Sequence, residues 1–156
     1  MGGRHSRNKG ARSERALRDE LIRHRWSDVV RVPLSGAIKT RAQYQDDVVG
    51  RPPGWGSEVR FENKARATGF DSIYTVLSKN NNQLSVSLES GECLNISLDP
   101  TVCVSVTSFN RQDTFDTSTL KVLNQVAKKC RDWIGNAQVL SLKQDRRPFI
   151  YVRYYR

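Results

Sequence analysis

The order of elements legible in this chain predicts an α/β fold, with a central mixed β-sheet flanked by helices. Three observations carry the prediction. Leu17, Leu21 and Ile22 form an apolar stripe at helical spacing near the start of the chain. Short β-branched or alternating segments follow at 29–33, 47–49 and 59–64, with a Pro/Gly turn before the last. A second helical stripe (Leu120, Leu123, Val126, Cys130) leads into a closing pair of strands.

Taken in order, residues 1–9 are small, polar and basic and are expected to form a flexible arm, and 10–25 form the first helix. Val29–Pro33 is a strand ended by proline, which lacks the N–H a ladder needs. Residues 34–45 are polar and basic without periodicity and include a Ser-Gly turn, hence a surface loop. Asp47–Val49 and the segment before Lys64 complete a three-stranded meander. Residues 70–79 form a helix, with Asp71 or Ser72 as its cap. Gln83–Leu88, Cys93–Leu98 and Val102–Val106 read as strands, and 110–114 as a polar connection. Ser118–Trp133 is the second long helix, and 139–142 with 149–155 a hairpin turning at Asp145–Pro148. The whole chain, 156 residues, fits one domain with a sizeable core.

Charge narrows the partner. The net charge is +10, and residues 1–66 hold 15 Lys/Arg against 8 Asp/Glu, the larger share of the surplus. Such a concentration attracts a polyanion through phosphate contacts and counterion release. No apolar run approaches the length of a membrane span, and no basic amphipathic helix with a broad apolar face points to a membrane surface. The first six residues fit the loose N-myristoylation pattern, although an Arg-rich start suits nucleic acid equally well. Three cysteines without a C-x-x-C pair, two of them (Cys93, Cys103) among apolar residues, predict reduced thiols in a cytoplasmic protein, the host cytoplasm if the gene is phage-borne.

The chemistry concentrates between Asp46 and Ala65. Strand side chains alternate faces, so Arg60, Glu62 and Lys64 share one face while Val59 and Phe61 share the other. Two carboxylates, Asp47 and Glu62, beside Lys64 suit a divalent metal and phosphodiester cleavage. Mg²⁺ takes oxygen ligands, and a lysine can orient or deprotonate the attacking water and stabilise the phosphoryl transition state. Asp46 is the alternative to Asp47. Glu14 lies three residues before Leu17 on the inward stripe of the first helix, and a buried acid there must be paired or bound to metal, which makes it a candidate extra ligand.

Lys9-Gly10-Ala11-Arg12-Ser13-Glu14-Arg15, Val32-Pro33-Leu34-Ser35-Gly36-Ala37, Asp47-Val48-Val49 and Glu62-Asn63-Lys64 together resemble the archaeal-type Holliday junction resolvases and their phage and bacterial relatives, within the PD-(D/E)xK nuclease superfamily. The resemblance spans about residues 9–70. It implies a restriction-endonuclease-like nuclease core, here with a β-rich C-terminal extension, in which 10–70 is the catalytic part and 71–156 carries the added sheet, long helix and hairpin. It further implies a homodimer, dependence on Mg²⁺ with Mn²⁺ as substitute, and paired symmetric nicks across four-way DNA junctions. Glu14, Asp47, Glu62 and Lys64 match the family's catalytic positions, the three acids as metal ligands, and Ser35 matches a loop serine implicated in catalysis. Arg15 matches a basic position. With Arg4, Arg7, Lys9, Arg12, Lys39, Arg41 and Arg66 it makes up the expected DNA-binding set. Asn63 departs from the family, which usually has a small apolar residue there; it is either exposed or hydrogen-bonded. The alternatives are another DNA endonuclease of the superfamily and a non-catalytic DNA-binding module. The apolar faces of the 70–79 or 118–134 helices either form the dimer interface or cover the sheet.

Overall fold

The structure is a computed structural model and describes residues 2–32 and 47–156, with the side chains of the N-terminal helix described from Gly10 onward. Its elements are α1 (Gly2–Arg23), β1 (Ser27–Arg31), β2 (Val48–Arg51), β3 (Val59–Arg66), α2 (Asp71–Lys79), β4 (Gln83–Ser87), β5 (Cys93–Ser97), α3 (Pro100–Ser105), β6 (Asn110–Arg111), α4 (Thr117–Trp133), β7 (Val139–Gln144) and β8 (Ile150–Tyr155). A 3₁₀ turn, Gln112–Thr114, follows β6.

Among the described residues the eight strands belong to one sheet in the order β1-β2-β3-β7-β8-β5-β4-β6. The β3–β7 and β4–β6 pairs are parallel and the others antiparallel, which makes the sheet mixed as expected. The meander β1-β2-β3 is joined to the C-terminal hairpin by the parallel β3–β7 ladder, with Phe61 opposite Val139 and Lys64 opposite Leu142.

Alternation on the central strands separates two cores. Leu17 and Leu21 of α1 and Cys103 and Val104 of α3 pack on one face against Phe61, Val139 and Tyr151. Ile73, Val76 and Leu77 of α2 and Leu123, Val126 and Cys130 of α4 pack on the other against Leu140, Leu142 and Val152. β7 and β8 are therefore mostly buried on both sides, with Ser141 and Gln144 of β7 as buried polar exceptions. The apolar stripes of α2 and α4 cover the sheet. Gly50 lets Trp26 and the start of β1 approach closely: a Cβ there would stand 3.2 Å from both Trp26 Cε3 and Val29 Cγ2.

Three expectations are corrected. Residues 2–9, expected as an arm, continue α1, which starts at Gly2 instead of Gly10. Val102–Val106 is helical for most of its length, not a strand. Asp99 caps it by accepting from the backbone N–H groups of Thr101 (2.8 Å) and Val102 (3.2 Å), and Pro100 occupies the first turn, where its missing N–H costs nothing. This capping outweighs the β-branched preference of Val102 and Val104, and Val104 and Cys103 go into the core under α1. The polar connection at 110–114 contributes a two-residue edge strand. The loop 34–45 lies outside the described residues. Among the described residues no helix is long and apolar enough to cross a membrane.

Candidate functional site

β3 organises the site. Its Phe61 and Asn63 face α1: Phe61 packs with Leu17 and Leu21, and the Asn63 side-chain amide donates to Ser13 Oγ at 2.7 Å. Glu62 and Lys64 must then project from the opposite face. Their β7 partners, Leu140 and Leu142, are fully buried under α2 and α4, so the acid and the lysine stand beside an apolar core. Lys64 Nζ is 3.6 Å from Glu62 Oε2, with side-chain exposures of 28% and 18%. That separation exceeds the 2.7–2.9 Å of a tight charge-assisted bond, so the two groups are close without being locked together.

Asp47, immediately before β2, is buried and tied to β3. Its N–H donates to the Phe61 carbonyl at 2.9 Å, and its Oδ2 accepts from the Asn63 N–H at 2.8 Å. Its own carbonyl accepts from the Val32 N–H at 3.0 Å. The Asp47 carboxylate is thus fixed on the backbone beside Glu62 by the meander itself. Val48, one residue on, pairs with Phe61 and enters the α1 core, which anchors the strand end.

Asn63 is hydrogen-bonded. Besides its bond to Ser13, its Oδ1 accepts from Ser141 Oγ at 2.9 Å. One side chain therefore links α1, β3 and β7, while the backbone of the same residue holds Asp47. An apolar residue at 63 could not make those links.

Glu14 is inward-facing, 5% exposed, as the helical stripe predicts. It accepts from Arg31 Nε of β1 at 3.0 Å. Arg31 pairs with Val48, so it lies on the α1 side of the sheet, away from Glu62 and Lys64. Among the described residues no three His, Cys, Asp or Glu side chains gather as a metal-binding group. Lys64 and Glu62 are brought together and Asp47 is bonded to the backbone of the residue between them; Glu14 is not part of a three-acid cluster with them. Arg31 escaped the sequence reading, although a strand arginine flanked by valines was a signal for a buried acid's partner.

Of the expected DNA contacts, Arg12, Arg15 and Arg66 are exposed. Arg4, Arg7 and Lys9 lie on α1, with side chains outside the description. Ser35, Lys39 and Arg41 are outside the described residues altogether. Trp55, at the β2–β3 turn, is 39% exposed. Thiol chemistry is a poor alternative: burial pushes the Cys130 thiol up to about 12 and raises that of Cys103 further. Comparisons with protein-family models, curated proteins and solved structures gave no match.

Proposed function

We propose that this chain is a metal-dependent endodeoxyribonuclease with a restriction-endonuclease-like core, and that it resolves four-way DNA junctions by paired symmetric nicks as a homodimer. The observation that carries the reading is the placement of Asp47 on the β3 backbone beside Glu62, with Lys64 Nζ 3.6 Å from the Glu62 carboxylate. The donor set fits Mg²⁺ or Mn²⁺ as a two-carboxylate site. Mg²⁺ usually keeps several waters and takes one or two carboxylates together with substrate phosphates, so a third acid is not required. Asp47 and Glu62 would hold it, and Glu14 serves instead to hold Arg31 and the α1–β1 corner. When bound, the ion supplies a more acidic water and neutralises phosphate charge.

The chain's own part is positional and electrostatic. Asp47 is immobilised by the Asn63 N–H, so its carboxylate needs no reorganisation when substrate arrives. Lys64 is near enough to Glu62 to be oriented by it and, as a compact cation with three donors, suits a water or a phosphate oxygen. The apolar floor made by Leu140 and Leu142 lowers the local dielectric, which strengthens both effects.

Two nicks on opposite strands need two sites related by a two-fold axis. The apolar faces of α2 and α4 are used on the sheet, so the dimer of this proposal uses another surface.

The test is cleavage of a labelled four-way junction in Mg²⁺ by Asp47→Asn and Glu62→Gln proteins. Loss of nicking with junction binding retained is expected; full nicking by both variants would sink the nuclease reading. Equal cutting of linear duplex by the unmodified protein would leave a nuclease but remove the junction-resolving assignment.

A further inference from the structure

A groove runs between α1 and the β7–β8 turn, and nothing in the site described above uses it. It consists of two recesses, about 520 and about 350 Å³, that share Ala16, Lys143 and Arg146 and so form one continuous depression. We propose that this groove binds a DNA phosphodiester backbone and holds one arm of the substrate; calling that DNA the substrate rests on the nuclease reading above.

Cations are spaced along its whole length. Arg12 and Arg66 stand at one end, Lys143 and Arg146 in the middle, and Arg23 and Arg147 at the other. The acids lining it are Asp145 and Glu20, and Glu20 is already engaged by Arg23 and by His24, whose Nε2 is 3.5 Å away; Arg147 is held outside it by Asp71 Oδ1 at 2.8 Å and lies over the Tyr74 ring. Arg12 and Arg146 are exposed and make no ion pair among the described residues, so their charge is available to a phosphate. The groove starts at Ala65–Ala67, directly after Lys64. Arg66, two strand residues beyond that lysine, shares its face, and its guanidinium lies over the Trp133 ring of α4 at 5.5 Å, so Arg66 borders the groove by its backbone and stem.

The second recess contains a donor with no partner. Tyr151 lines it with zero exposure, and its hydroxyl makes no hydrogen bond among the described residues. A buried hydroxyl without a partner is costly, and a phosphate oxygen would accept from it. A row of arginines and lysines at this spacing suits an extended polyanion more than a single small anion, since phosphate contacts add along a backbone and carry no sequence requirement.

The experiment is fluorescence anisotropy with a labelled four-way junction in chelator, across a salt series, so that cleavage plays no part. Arg12→Glu/Arg146→Glu is compared with Lys79→Glu/Lys121→Glu, which makes the same charge change on exposed positions of α2 and α4, away from the groove. The groove pair should weaken binding at least about ten-fold and reduce the salt slope by about two, one for each phosphate that is no longer neutralised, while the control pair changes little. Tyr151→Phe should weaken binding without lowering Tm, because the hydroxyl has no partner in the free protein to lose. Equal effects of the two charge-reversed pairs, or unchanged binding by Tyr151→Phe, would overturn the proposal. If the nuclease reading alone is wrong, these differences persist while Asp47→Asn leaves cleavage unaffected.

Discussion

Replacing Asn63 with alanine separates the support of the site from its chemistry. The side chain makes two bonds, to Ser13 Oγ (2.7 Å) and from Ser141 Oγ (2.9 Å), in surroundings where Ser141 is 0% and Ser13 7% exposed. Alanine strands the Ser13 hydroxyl, whereas Ser141 Oγ can still donate to the Glu62 carbonyl at 3.3 Å, so a loss of about 1–3 kcal/mol is expected. For a chain of this size each kcal/mol moves Tm by about 2–4 °C, which puts the fall at about 2–12 °C. The backbone N–H of residue 63 remains to hold Asp47, so kcat per folded molecule on a junction should survive. Replacing all three polar partners together (Ser13→Ala, Asn63→Val, Ser141→Ala) leaves no orphan and should recover most of the loss, helped by valine's fit to a strand. Urea unfolding followed by circular dichroism measures both proteins. The reasoning fails if Asn63→Ala lies within about 0.5 kcal/mol of the parent, the size of an ordinary surface change, or if the triple variant is less stable than the single one.

Three further outcomes follow from the same structure. Glu14→Ala removes the carboxylate from the Arg31 pair and should cost about 3–4 kcal/mol, the lower part of the range for a broken buried pair because the Arg31 side chain is 25% exposed; a variant of full stability that has lost only metal-dependent cleavage would instead make Glu14 a ligand. Gly50→Ala puts a methyl 3.2 Å from Trp26 and Val29, so denaturation should show a loss of about 1–3 kcal/mol, and a neutral result would mean that Trp26 and Val29 sit less tightly on β2. Asp116 caps α4, and the Thr119 N–H holds its carboxyl below the ordinary 3.8. Its folded-state value lies below its unfolded value, so this contribution is complete above about pH 4 and is lost as pH falls through the folded value. Asp116→Asn should flatten that part of the acid-unfolding curve, and an identical curve would remove the cap from the account.

Local rules in the sequence decided much of this protein. The Leu17/Leu21 stripe, the pleat of Val59–Lys64 and the closing strand pair each depend on a period of 3.6 or 2 within a few residues, and each forms where that period places it. The inward direction of Glu14 and the shared face of Glu62 and Lys64 belong to the same class. Capping is local too, yet Asp99-Pro100 turned a valine-rich segment into α3 because two satisfied N–H groups outweighed a weak strand preference.

Tertiary structure decided which of these pieces meet. The partner of Glu14 is an arginine 17 residues away, fixed only when α1 lies across β1. The role of Asn63 required β7 to pair in parallel with β3, bringing Ser141 to it across 78 residues. The basic groove arose likewise from docking the β7–β8 turn beside α1. The stretch from Asp47 to Lys64 was therefore legible as a source of two acids and a lysine. Its rigidity and surroundings were not, because buried polar groups take their partners from whatever the packed chain brings within reach.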